Sequence, residues 1–216
     1  MTLFCEVCCP SLEAVASAVA AGADRIELCE RLEVGGVTPS EDLIREALSV
    51  AGNVPINVLI RPRDGNFVYN EEEAAQMLAS IATCKRLGVN GVVIGALRPD
   101  GSVDMAMMHR LVDAAKCPDD PGSSARPLSI TFHRAIDECS DIFTSLEDIV
   151  SLGIDRILTS GHCADAWEGR FVLKELVARA AGRIAIMPGC GITPANLPEI
   201  AALTAATEFH GSRILG

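Results

Sequence analysis

Ala21-Gly22-Ala23-Asp24-Arg25-Ile26-Glu27-Leu28, Leu87-Gly88-Val89-Asn90-Gly91-Val92-Val93-Ile94 and Leu152-Gly153-Ile154-Asp155-Arg156-Ile157-Leu158-Thr159 repeat one pattern. Each copy follows an Ala/Leu-patterned helical segment, stops it at glycine, turns through Asp or Asn, and enters a short β-branched run. That is a helix C-cap, a tight loop and a strand. The copies begin at residues 21, 87 and 152, which are 66 and 65 residues apart. One helix-plus-strand unit needs only about 30–35 residues, so each interval holds two units.

Working outward from these copies gives eight strands: 3–7, 25–28, 56–60, 91–94, 128–132, 156–158, 184–187 and 208–210. Helical segments such as 11–21 and 71–87 alternate with them. Eight parallel strands with alternating helices close into a (β/α)8 barrel of the TIM type. An open doubly wound sheet is the structural alternative. No linker divides the chain, so residues 1–216 are expected to form one domain, a length that suits a single barrel core. Segment 116–127, with three prolines and no periodicity, reads as a surface insertion. Six residues follow the eighth strand, so the eighth helix is expected to be missing or truncated. Leu3, Val7 and Phe209 would then lie bare on that flank. A patch of that kind is usually covered by a partner, which predicts a homo-oligomer, most simply a two-fold dimer.

Composition narrows the classes of function. The apolar residues, 49% of the chain, are chiefly Ala, Val, Ile and Leu, the usual filling of buried parallel strands. A net charge of −11 with no lysine/arginine run argues against nucleic acid as a partner. No apolar run is long enough to cross a bilayer. The start, Met1-Thr2-Leu3-Phe4-Cys5-Glu6, lacks the basic region of a signal peptide. The nine cysteines then read as reduced thiols of a cytoplasmic protein. The one CxxC, Cys5-Glu6-Val7-Cys8, stands without the second ligand pair that a structural zinc site needs, so the spacing gives such a site no support.

Strand side chains alternate, and in a barrel the outward set packs on the helices. The apolar positions therefore send Phe4, Glu6 and Cys8 inward from the first strand and Arg25, Glu27 and Cys29 from the second. Asn57, Leu59 and Arg61 follow from the third, Thr131 and His133 from the fifth, Arg156 and Ser160 from the sixth. The last strand contributes Glu208, His210 and Ser212. Arg25 and Arg156, low in the barrel, read as ion-pair partners of Glu6, Glu27 or Glu208, because unpaired buried charge is costly. Glu27, Arg61, His133 and His210 lie nearer the C-terminal strand ends, where barrel enzymes keep their chemistry.

The last two loops add a second feature. Gly189 and Gly191 follow the seventh strand, Gly211 and Ser212 the eighth, and Thr193-Pro194 reads as a helix N-cap and first turn. Gly-rich loops there form the usual anion-binding corner of such barrels, although the same glycines also suit plain tight turns. Lys85, Lys116 and Lys174 are the only lysines and all fall on helices or helix ends, which excludes a Schiff-base aldolase. Nor do the strand ends carry the oxygen ligands of a magnesium-dependent enolase-type site.

Several stretches resemble the CutC copper-homeostasis family. They are Glu6-Val7-Cys8, Gly22 through Cys29, Gly35-Gly36-Val37-Thr38-Pro39-Ser40, Ile60 through Tyr69, Thr131-Phe132-His133-Arg134-Ala135 with Asp137, Arg156 through Gly161, and Glu208 through Ser212. They run in order along nearly the whole chain. The resemblance implies a cytoplasmic (β/α) barrel associated with copper, with Cu(I) ligands at Cys8 and Cys29. Two departures stand out: Cys190 replaces a usual glycine, and the family continues beyond Gly216.

Two readings of function remain open. In the first, Cys8 and Cys29, inward at matching heights on adjacent strands, hold Cu(I), which favours thiolates, with zinc held far more weakly. The competing view is that these cysteines are small core hydrophobes. In the second, the barrel is an enzyme acting on a small anionic substrate, a phosphate or carboxylate. Arg61 and Arg63 would clamp the anion, His133 or Glu27 would move the proton, and Gly189, Gly191, Gly211 and Ser212 would hold charge. In that arrangement the arginine disfavours a protonated His133, and Glu27 is expected to be held ionised.

Overall fold

Helix ends are set by side chains placed where free backbone groups need them. Ser11, Ser40 and Asp141 cap helix N-termini, and Asn70 and Glu73 form a reciprocal capping box. Gly88 ends its helix in the left-handed conformation, φ 79°, with its N–H on the Cys84 carbonyl. The computed structural model describes residues 3–117 and 126–216. The strands are β1 (Phe4–Cys9), β2 (Arg25–Leu28), β3 (Ile56–Leu59), β4 (Gly91–Ile94), β5 (Ser129–Phe132), β6 (Arg156–Thr159), β7 (Ala185–Pro188) and β8 (Glu208–His210). Between them run α1 (Leu12–Ala20), α2 (Glu41–Ala51), α3 (Glu71–Leu87), α4 (Met105–Lys116), α5 (Ile142–Ser151), α6 (Arg170–Ala180) and α7 (Leu197–Thr204). The insertion expected over 116–127 lies mostly outside the described residues.

The strands pair in parallel in the order β7-β6-β5-β4-β3-β2-β1-β8. Because β1 pairs with both β2 and β8, and β7 lies beside β8, the sheet is a nearly closed TIM-type barrel and not a doubly wound sheet. The polar residue of each repeat has a structural task. Asp24 Oδ2 accepts the N–H of Cys5 at 2.8 Å, Asn90 Oδ1 that of Ile56 at 2.9 Å, and Asp155 Oδ2 that of Ile130 at 2.7 Å. Each acceptor stands before an even-numbered strand and clasps the strand just before it in sequence. The doubled period of the sequence is therefore a doubled unit of structure.

Apolar side chains on the outer face of the sheet, among them Ile26, Val58, Ile130 and Ile157, pack under the helices as one core. Inside the barrel a smaller core joins Cys8, Cys29, Leu59 and Val93. Beneath it lies a charged layer. Arg25 bonds Glu6 directly and reaches Glu208 at 2.7 Å, and Arg156 reaches the same Glu208 oxygen at 3.1 Å. These are the ion pairs that the inward-facing arginines called for.

The bare flank expected beside β8 is absent. Phe209 is fully buried, Val7 is buried and Leu3 is partly covered. The turn after β8 brings Ile214, itself buried, and Leu215 against the same core. Among the described residues no helix follows β8, yet this short turn supplies apolar cover. The expectation of a dimer thereby loses the patch on which it rested.

Removing Arg25 should expose the dependence of the fold on the charged layer. Arg25→Met leaves Glu6 buried without its guanidinium, at a cost of about 3–5 kcal/mol. Urea unfolding should show that loss, and Arg25→Met combined with Glu6→Gln should recover part of it. A single variant as stable as the parent would show that the layer contributes nothing.

Candidate functional site

The strand ends open into a cavity of about 700 Å³ at the C-terminal mouth. Its floor follows from register: Cys8 stands opposite Glu27, and Glu6 opposite His210. The Sγ atoms of Cys8 and Cys29 are 3.7 Å apart, and Cys8 faces the cavity while Cys29 is sealed. A Cβ at Gly36 would lie 3.5 Å from Cys29 Sγ and 2.8 Å from Leu59, so the Gly36 loop presses directly on this thiol. Both cysteines are free thiols. The hydrogen bond with Cys29, together with burial, raises the Cys8 thiol well above its ordinary range.

His210 joins the acidic part of the floor. Its Nδ1 is 2.9 Å from Glu6 Oε1 and 3.5 Å from Glu27 Oε2. Burial alone would raise Glu6, but the His210 hydrogen bond and the Arg25 charge hold it down at about 2. Glu27 goes the other way. Burial raises it to about 7 despite the nearby His210, and its Oε2 makes no hydrogen bond. The expectation that Glu27 is held ionised is corrected by this desolvation. His210 is itself raised: burial opposes its charge, but Glu27 and Glu6 outweigh it. One ligand atom each from Cys8, Glu27 and His210 falls within a mutual 4.8 Å.

The wall above is a stack. The Arg61 guanidinium lies 4.9 Å from the Phe67 ring, whose centroid is 4.7 Å from that of His133. Arg61 donates to the carbonyls of Val34, Gly36 and Gly65, so most of this cation fastens two loops. Its Nε–H is left buried without a partner. His133 Nδ1 accepts the N–H of Ala135 at 3.2 Å, which fixes the ring proton on Nε2. That Nε2–H is also buried and unpartnered. Burial and then the Arg61 charge lower His133 to about 3, so the ring is a neutral donor and does not exchange protons near neutrality. Gly95 makes room for it, since a Cβ there would fall 2.7 Å from Nδ1.

Glu27, Arg61, His133, Gly191, Gly211 and Ser212 line this one cavity together with Cys8. Other expected residues are engaged elsewhere. Arg63 lies off the cavity, bonded to Glu73 and to the carbonyls of Asp64, Asn66 and Val68. The N–H of Gly189 is committed to Thr159 and that of Gly211 to Glu6, both as links of the barrel. Thr193 does not cap α7, which begins at Leu197 after a turn closed by Asn196 Oδ1 on the Thr193 N–H. Cys190 keeps the left-handed φ of 71° that a glycine suits, and it lines the cavity. Sequence reasoning missed two cationic neighbours. Arg134 is tied to Asp137 at 2.9 Å, whereas Arg213 is exposed at the rim and makes no ion pair among the described residues.

His133 predicts a pH signature. Between its ordinary value near 6.5 and its folded value of about 3, the unfolded chain takes a proton that the folded chain refuses. Stability from this residue therefore falls as pH drops through that window, at up to about 1.4 kcal/mol per pH unit. Unfolding measured from pH 7 to 4 should show a shallower decline in His133→Gln than in the parent. Parallel profiles would show that the ring is not buried neutral.

The chain is 48% identical to a CutC family protein of Parabacteroides distasonis over 207 residues, covering 96% of this chain and 81% of that one. A Histophilus somni relative is 44% identical, with coverage of 95% and 80%. A crystal structure of a CutC protein of Streptococcus agalactiae, named for copper homeostasis, superposes with a TM-score of 0.90 at 33% identity, covering 99% of this chain and 100% of that one. 2,3-Dimethylmalate lyase, at 12% identity and a TM-score of 0.66 over 98% of this chain and 76% of its own, shares the fold alone. The model of the CutC family matches residues 3–215, and the chain belongs to that family.

Proposed function

We propose that the protein serves copper homeostasis in the reducing cytoplasm and holds Cu(I) between the sulfurs of Cys8 and Cys29. The observation that carries this reading is their 3.7 Å approach at the cavity floor, with Cys8 open to the cavity. Cu(I) is soft and suits a thiolate pair, and a desolvated pocket favours it over hard, hydrated cations. The Leu59 and Val93 packing around the pair excludes competing oxygen ligands on that side. Because its bond to Cys29 and burial keep the Cys8 thiol protonated, metal uptake there must release a proton. The name of the Streptococcus agalactiae relative and the absence of any disulfide among nine free cysteines support the same reading.

Competition with a Cu(I) chelator tests it on reduced protein. The parent should retain one Cu(I) per chain, and Cys8→Ser/Cys29→Ser should lose it. Equal retention by both would sink the proposed pair and point to adventitious thiols.

A second reading is favoured by a separate observation: Arg61 Nε–H and His133 Nε2–H are buried donors without partners on the cavity wall. Such donors are costly unless a ligand supplies an acceptor. They suit an enzyme acting on a small phosphate or carboxylate, whose oxygen they would receive, with Glu27 on the floor for proton exchange. Titration with inorganic phosphate and with acetate, followed by the nitrogen resonance of His133 Nε2, tests it. A saturable shift, with binding lost in His133→Phe, is expected. A resonance that answers to neither anion overturns this second reading and leaves the copper site untouched.

A further inference from the structure

The floor holds a second ligand set that the two-thiol pair does not use. Cys8, Glu27 and His210 come from β1, β2 and β8, and one donor atom from each lies within 4.8 Å of the others. A tetrahedral zinc ion with bonds of about 2.0–2.3 Å to one sulfur, one nitrogen and one oxygen needs ligand separations of roughly 3.3–3.6 Å, within reach of small side-chain rotations. Glu27 Oε2 is buried and makes no hydrogen bond. His210 Nδ1 is bonded to Glu6 at 2.9 Å and faces Glu27 Oε2 at 3.5 Å, so Glu6 fixes the ring beside Glu27.

Charge points the same way. The barrel interior holds the carboxylates of Glu6, Glu27 and Glu208 against the guanidiniums of Arg25 and Arg156. The carboxylates exceed the guanidiniums by one, and a cation held beside Glu27 would offset that excess.

We propose that Cys8, Glu27 and a ring nitrogen of His210 form a binding site for zinc or a similar borderline divalent cation. One sulfur, one nitrogen and one oxygen suit zinc, whereas two sulfurs suit Cu(I). Three protein ligands leave a fourth position facing the cavity, the arrangement of zinc sites that take water or a small ligand. Cys8 belongs to both sets, so the two metals exclude each other. Sequence spacing gave no warning, because the ligands stand at positions 8, 27 and 210 and meet only through strand register.

Zinc titration of the reduced, full-length chain tests the site, with Co(II) as the spectroscopic probe. The parent should bind one Zn(II) per chain, and Glu27→Gln and His210→Gln should each weaken it by about tenfold or more. Cys29→Ser should bind zinc unchanged while losing Cu(I), which separates this site from the thiol pair. Co(II) should give a thiolate charge-transfer band that disappears in Cys8→Ser and persists in Cys29→Ser. Binding that depends on Cys29 but not on Glu27 or His210, or no stoichiometric binding, overturns the proposal. Should a floor variant fail to fold, X-ray absorption of the zinc-loaded parent decides. One sulfur neighbour supports the site, and two assign the metal to the thiol pair. A parent that refuses Cu(I) but takes zinc in this way removes the copper reading alone.

Discussion

A carboxylate with no access to solvent governs this barrel. Glu6 sits in the middle of β1, bonded to Arg25 on β2 and to His210 on β8. An ionised group in that position persists only because both neighbours satisfy it, so the three strands are held in one register where the ring closes. A slip of one residue would send Glu6 into the helix-facing core and replace it with an apolar neighbour. The same register puts Cys8 beside Glu27, and so the charged layer fixes the floor of the cavity as well as the fold.

That floor is unusual in having its polar chemistry sorted by height and side. Soft sulfur lies toward Leu59 and Val93, nitrogen and oxygen toward β8, and neutral or cationic donors on the wall around Phe67. The anion reading takes its hydrogen-bond donors from the wall and the metal readings take their ligands from the floor, with Glu27 the residue that zinc and proton exchange would share. An anion held by the wall would lie in the same 700 Å³ as a cation on the floor, where each would favour the other.

Much of this was legible in the residues. The Gly-Asp/Asn repeat gave the barrel, and strand alternation gave the inward polar set, including the ion pairs of Arg25 and Arg156. Four things were not legible. The cover over Phe209 comes from Ile214 folding back, which depends on a turn and has no periodicity. Arg63 and Arg61 look alike in sequence, yet one closes its own loop against Glu73 while the other reaches the mouth. The ionisation of Glu27 turned on desolvation, a property of the packed barrel and not of the neighbouring charges that sequence reveals. The donor role of His133 likewise came from one backbone bond, Ala135 to Nδ1, that no motif announces.

The clasps made by Asp24, Asn90 and Asp155 carry a consequence of their own. Each is an Asp or Asn side chain that accepts an N–H from the strand before it, so Cys5, Ile56 and Ile130 find that acceptor only at the entry to the next strand. Three of the four strand pairs thus carry a link of their own, and over β1 to β6 the barrel counts by twos. Deleting the second strand of such a pair would take an acceptor away along with the strand, so in this part of the barrel losing one strand and losing two are not equivalent changes.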